Sequence, residues 1–191
     1  METHAPTTQP TLRTARPTDA MAIAQVHVAS WRETYAGSPP GAVFAARAPE
    51  DAAAFWAARL GPREPGAGGE VFVAETEGRI IAFGACGAQR TTMFGKPSTD
   101  AEIEALHVLK PQQGQGVGRR LMTAMADGLL ERGYEGCCVW IPLPNDGARA
   151  FFERWGGEPV AMKKEYHPQS TVSEVAYRWR DLTLLAQSLK P

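Results

Sequence analysis

Residues 106–122 (LHVLKPQQGQGVGRRLM) constrain this chain more than any other stretch. A strand-like run leads into a glycine-rich turn that opens directly into a helix. Residues 102–109 (EIEALHVL) alternate and then turn apolar, as a strand does on entering a core. Beyond the turn, Val117, Leu121, Met125 and Leu129 recur every four residues, with Met122 and Leu130 beside them. This spacing predicts a helix of about fifteen residues, ending before Gly133. The first amides of a helix have no intrahelical acceptor, and its macrodipole adds partial positive charge there. Gly114, Gly116 and Gly118 let the backbone approach an anion without an intervening Cβ, and Arg119 and Arg120 add charge. A pyrophosphate fits such a turn. A nucleotide P-loop would need Lys and then Ser or Thr after the last glycine, where Arg119 and Arg120 stand. A dinucleotide turn would read G-x-G-x-x-G, whereas this one reads G-x-G-x-G.

The rest of the chain places that turn past the middle of one domain. The 191 residues are 43% hydrophobic and 21% charged, with a formal charge of −1. That balance lacks the basic surplus of a duplex-binding protein. No apolar run is long enough to span a bilayer. Residues 1–10 (METHAPTTQP) carry no secretory signal pattern and read as a loose tail. Three cysteines, with Cys137 and Cys138 adjacent on a strand, form no disulfide framework and point to a reducing, cytoplasmic compartment. No His/Cys/Asp cluster has metal-ligand spacing. Strands are expected at 11–16, 71–75, 79–85, 102–109, 137–141, 159–166 and 172–179. Helices are expected from Thr18 or Asp19 to about Tyr35, over 49–60, after the glycine turn, and from Asn145 to Trp155. His27 lies on the apolar stripe of the first helix and reads as a core histidine. The order β-α-α-β-β-β-α-β-α-β-β implies an α/β (α+β) domain over residues 11–180, followed by an extension at 181–191. Its sheet would be mixed and mostly antiparallel, with one parallel pair and helices on both faces.

At this level the sequence resembles the GNAT-type N-acyltransferases. Their cofactor motif, Gln/Arg-x-x-Gly-x-Gly/Ala, is matched by Gln113, Gly116 and Gly118. A second motif, Asn-x-x-Ala-x-x-Phe-Tyr-Glu-x-x-Gly-Phe, is approached by Asn145, Ala148, Phe151, Phe152, Glu153 and Gly156. Residues 16–19 (RPTD) and 30–35 (SWRETY) look like the family's N-terminal region, so the likeness covers roughly 11–180. The resemblance implies acetyl-coenzyme A lying where the strand at 102–109 and that at 137–141 splay apart. Main-chain groups of Leu106, His107 and Val108 would pair with the pantetheine arm. Amides of Gln113, Gly114, Gln115, Gly116, Val117, Gly118 and Arg119 would hold the pyrophosphate. Asn145, Phe151 and Phe152 would face the arm and the thioester. Opened strands expose amides and carbonyls that a peptide-like arm can satisfy.

Acyl transfer needs a neutral amine, a held oxyanion and a departing thiolate. With an amine pKa near 10.4, only about one molecule in a thousand is neutral at pH 7, so a base is useful. Glu102 and Glu104, two apart on a strand, share one face and are the expected catalytic or amine-attracting pair, in keeping with the family's Glu or His base. The resemblance puts the oxyanion on an amide near Val108. By strict alternation His107 takes the opposite face from the glutamates and reads as structural. Phe152 departs from the family's usual Tyr and cannot protonate the thiolate. That step is worth about 2 kcal/mol at most, and water, Tyr134 or Tyr166 remain as donors. Trp31, Tyr35, Trp56, Met93 and Phe94 are available for an acceptor wall, though the tryptophans suit a core better. The expected function is acetyl transfer to a primary amine of a small molecule or protein by direct attack. A non-catalytic acyl-coenzyme A binding module, or a larger acyl group, stands as the alternative. No nucleic-acid or membrane partner is expected, and a homodimer is left open.

Overall fold

A computed structural model describes residues 9–36, 48–62, 69–90, 101–167 and 170–190. Its strands are β1 (Thr11–Thr14), β2 (Glu70–Thr76), β3 (Arg79–Ala88), β4 (Ala101–Val108), β5 (Cys137–Pro142), β6 (Glu158–His167) and β7 (Ser170–Trp179). They form one sheet in the order β1-β2-β3-β4-β5-β7-β6, antiparallel except for β4 and β5. The helices are α1 (Ala20–Tyr35), α2 (Pro49–Leu60), α3 (Val117–Glu131), α4 (Asp146–Arg154) and α5 (Leu182–Ser188). The expected mixed sheet and element order are present, with α5 added at the end.

Each face of the sheet has its own apolar layer. On one side Ile23, Ala24, Val26 and Trp56 from α1 and α2 pack against Val71, Val73 and Phe83. On the other, the four-residue stripe of α3 buries Met122, Met125 and Leu129 against Ile103, Val139, Tyr177 and Trp179. Burial of such side chains contributes about 1.5–3 kcal/mol each. At the start of α1, Asp19 accepts two hydrogen bonds from Arg13 (2.7 and 3.1 Å), which also reaches Glu75 (2.7 Å). The Arg13 guanidinium holds the Asp19 carboxyl below its usual range.

Of the segment expected as an extension beyond the domain, the described part, 181–190, contributes to the core. Asp181 caps α5 by accepting from the amides of Thr183 and Leu184, and Leu182, Leu185, Ala186 and Leu189 are buried in the cluster that contains the α3 stripe. Asp at the cap and apolar residues at helical spacing are the sequence signal for this helix. Met93, Phe94 and residues 1–8 of the expected tail lie outside the described residues.

Two irregularities of β4 shape everything functional. Toward β3 it is paired along its length, but Ala105 faces Ala85 while Ile103 faces Cys86, so Glu104 is the extra residue of a β-bulge. Toward β5 it pairs only through Ala101 with Cys137 and Glu102 with Cys138. Beyond that point the two strands part.

Candidate active site

The parting of β4 and β5 opens a cleft of about 1070 Å³, lined by residues 103–108 on one side and 139–142 on the other. Its far wall is Asn145, Ala148, Phe151 and Phe152 of α4 and its approach; the glycine turn lies at one end.

The turn is held from within by its own side chains. Gln113 Nε2 donates to the Val108 carbonyl (2.9 Å) and Gln115 Nε2 to the Pro111 carbonyl (2.8 Å). Gly114 and Gly116 adopt φ of 73° and 80°, a region that side-chain-bearing residues seldom enter. A Cβ at either would meet nothing within 4 Å, so the space above both is open. The amides of Val117, Gly118 and Arg119 follow as the first turn of α3, where no intrahelical acceptor exists. Gln113, Gly114, Gly116, Gly118 and Arg119 all border the cleft. Gln115 and Val117 do not; the Val117 side chain is buried beside Leu121 and only its amide can serve a ligand. Arg120, expected to add charge here, donates instead to the Pro10 carbonyl (2.8 Å).

The bulge decides which side chains of β4 share a face. Ile103, Leu106 and Val108 pack toward α3, whereas Ala105 packs toward α1 and α2. Glu102, before the bulge, and Glu104, at it, reach Arg90 and the α2 residue Arg59. His107, after it, stacks on Phe83 at 5.1 Å and lies 4.8 Å from His27. His107 therefore stands on the same face as the two glutamates, against the strict alternation expected from sequence. The extra residue reverses the phase of the pleat.

Both glutamates are already matched by guanidinium groups. Arg59 donates to Glu104 through Nη2 (3.0 Å) and Nε (3.4 Å), with side chains only 9% and 10% exposed. Glu102, 6% exposed, accepts from the Arg90 backbone amide (3.0 Å) and from Nη2 (2.9 Å). A second Arg90 nitrogen lies 3.7 Å from Glu104, and the Arg90 side chain is 57% exposed. Sequence reasoning missed both arginines, because pairing over such distances along the chain has no local signal.

His107 Nδ1 lies 2.8 Å from Ser30 Oγ, and Ser30 Oγ is also 3.0 Å from the His27 carbonyl. Burial, aided by His27, pushes the His107 imidazole down to about 3, so it is neutral across ordinary pH. His27 is packed among Trp31, Trp56, Phe83 and His107, and its Nδ1 accepts from Trp56 Nε1 (3.2 Å). Of the aromatics expected at the acceptor wall, Trp56 is core and Trp31 borders the cleft.

Asn145 Oδ1 caps α4 through the Ala148 amide (3.1 Å), and its Nδ2 donates to the Tyr35 hydroxyl (3.3 Å), joining the end of α1 to the start of α4. Burial pushes the Tyr35 hydroxyl up to about 12. Phe152 lies edge-on between Phe151 and Trp179 at the cleft wall. Tyr35 borders the cleft, while Tyr134 and Tyr166 do not, and Tyr166 is 77% exposed. Cys86, Cys137 and Cys138 form no disulfide, are fully buried and do not line the cleft; burial raises the Cys86 thiol to about 12. Among the described residues no group of three or more His, Cys, Asp or Glu could hold a metal ion, and no helix is long and apolar enough to cross a membrane.

The sequence model described as the acetyltransferase (GNAT) family matches residues 24–157. The uncharacterized N-acetyltransferase YuaI of Bacillus subtilis is 30% identical over 176 residues, covering 92% of this chain and 95% of its own. Among solved structures, yncA of Salmonella typhimurium, solved with its cofactor acetyl-CoA, superposes with a TM-score of 0.67 at 19% identity. That match covers 91% of this chain and 94% of the other. The paia N-acetyltransferase of Thermoplasma acidophilum, in complex with coenzyme A, gives 0.68 at 14% identity over 86% and 97%.

Proposed function

This chain belongs to the acetyltransferase (GNAT) family, and from that premise we propose that its cleft takes acetyl-coenzyme A and passes the acetyl group to a primary amine by direct attack. The observation that carries the reading is the separation of β4 from β5 beyond Glu102 and Cys138, next to a turn with open space above Gly114 and Gly116. A strand edge without a neighbour offers amides and carbonyls to a peptide-like pantetheine arm. The turn and the first amides of α3 offer donors to a pyrophosphate, with Arg119 adding charge. The thioester supplies an activated acetyl group and a thiolate leaving group. Phe151, Phe152 and Asn145 would flank it, and a main-chain amide near Val108 would receive the oxyanion.

Direct attack is favoured over a cysteine-bound acyl group because the described thiols are buried away from the cleft. Three cysteines without a disulfide also suit a reducing compartment. The role we assign to Glu102 and Glu104 is electrostatic. Held by Arg59 and Arg90, they form a charge-balanced polar wall of the cleft that fixes Arg90 beside the acceptor.

A second reading, acyl-coenzyme A binding without turnover, is favoured by one feature, the absent hydroxyl at Phe152. Calorimetry with coenzyme A, followed by release of free thiol from acetyl-coenzyme A with a panel of amines, separates the two. Saturable binding with turnover on at least one amine is expected. Binding without turnover on any amine would favour the second reading, and no binding would remove both.

A further inference from the structure

We propose that His107 Nε2 accepts the proton given up by the acceptor nitrogen, and that Ser30 fixes the tautomer that leaves Nε2 bare. The proposal rests on the acetyl-transfer reading above and names a base for it.

Three observations lead there. First, the bulge at Glu104 turns His107 to the face that carries Glu102 and Glu104, and all three border the cleft. Second, both oxygens of each glutamate accept from Arg59 or Arg90, and these charge-assisted bonds make either carboxylate a poorer base. Third, the contacts of Ser30 settle where the histidine carries its proton. Ser30 has one hydroxyl hydrogen and two neighbours, the His27 carbonyl at 3.0 Å and His107 Nδ1 at 2.8 Å. A carbonyl can only accept. Were the hydroxyl to donate to His107, its oxygen would face the carbonyl oxygen with no hydrogen between them. Both contacts are attractive only if Ser30 donates to His27 and accepts from Nδ1–H. His107 is then neutral with its lone pair on Nε2, which has no protein partner among the described residues. The neighbouring histidine takes the opposite form. Trp56 Nε1 can only donate, so His27 Nδ1 is bare.

Burial keeps the ring uncharged and its Nε2 lone pair unprotonated, and the same burial makes it a weak base, so it takes a proton only from a nitrogen already made acidic by C–N bond formation. The amine enters neutral. As the C–N bond forms its nitrogen becomes acidic, and one proton passes to Nε2 while the C–S bond breaks and its electron pair leaves on sulfur. The imidazolium, itself disfavoured by burial, returns that proton to the thiolate or to water. One N–H and one C–S bond are lost, one C–N and one S–H bond are gained, and nothing is oxidised. Such a relay also supplies the proton that Phe152 cannot.

The first test needs no turnover. Long-range proton–nitrogen spectra of the ligand-free protein labelled with ¹⁵N-histidine should show His107 protonated on Nδ1 and His27 on Nε2. A His107 protonated on Nε2 would overturn the proposal. The second uses His107→Gln with an amine that the wild-type enzyme acetylates. We expect kcat to fall about 100-fold, with coenzyme A affinity by calorimetry unchanged and a smaller loss for an acceptor of low pKa. A kcat within about threefold of wild type, set against the usual effect of a general base, would overturn the assignment and leave acetyl transfer standing. Ser30→Ala should mix the His107 tautomers and lower kcat without moving coenzyme A affinity. A purely structural role for Ser30 would leave the tautomer as it is.

Discussion

The two edges of β4 are built in opposite ways. The edge toward β3 is paired from Ala101 to Val108 with one residue too many, and the edge toward β5 is paired at two positions and then abandoned. On the first edge the irregularity changes side-chain direction, bringing His107 round to Glu102 and Glu104. On the second it leaves backbone groups without a strand partner, beside the glycine turn. A single strand thus presents side chains to the acceptor and main chain to the cofactor. Chemistry at the first edge depends on which residues stand there; binding at the second depends mostly on which side chains are absent.

The largest effect is expected at the open edge. Gly116→Glu puts a side chain at a φ of 80° and a carboxylate where a phosphate would lie, and should weaken coenzyme A binding by about 100-fold or more. Calorimetry checks this, and unchanged affinity would detach the turn from the cofactor.

At the bulged edge, Glu104→Ala leaves Arg59 as a buried charge without its carboxylate. The expected loss is about 3 kcal/mol in urea unfolding. A loss under about 1 kcal/mol, the range of an exposed pair, would mean that the pair does not anchor the bulge.

A smaller effect follows from His107. Burial holds its folded-state pKa at about 3, below the ordinary 6.5, so the unfolded chain takes up the proton first as pH falls. Its contribution is complete above about pH 6.5 and is lost on going down toward pH 3. Between pH 6.5 and 5 the wild type should lose up to about 2 kcal/mol that a His107→Phe variant keeps. Parallel stability curves for the two would contradict the burial of this ring.

Smallest of all should be Phe152→Tyr. If the thiolate is already served by a proton from His107, the added hydroxyl should change kcat by less than about threefold, well short of the roughly 2 kcal/mol that thiolate protonation is worth. A tenfold gain would show the departing sulfur to be short of a proton.

Much of this was legible in the sequence where the signal is local. The glycine spacing, the four-residue stripe of α3 and the Asn145 cap all act within a few residues of themselves, and they placed the turn, the helix and the cleft wall. The cap and stripe of α5 were equally local, in Asp181, Leu182, Leu185 and Ala186, and could have been read. The bulge could not. A one-residue slip is set by what β3 and α2 bring to the strand, here Arg59 reaching Glu104, and a slip of one reverses every face beyond it. For the same reason the pairing of Ser30 with His107 has no trace in either segment alone.

Amide hydrogen exchange with and without acetyl-coenzyme A tests the open edge most directly. We predict slower exchange in residues 103–108 and 114–119 on adding the ligand, with the β2–β3 ladder unchanged. Protection confined to other segments, or none at all, would contradict a cofactor seated between β4 and β5.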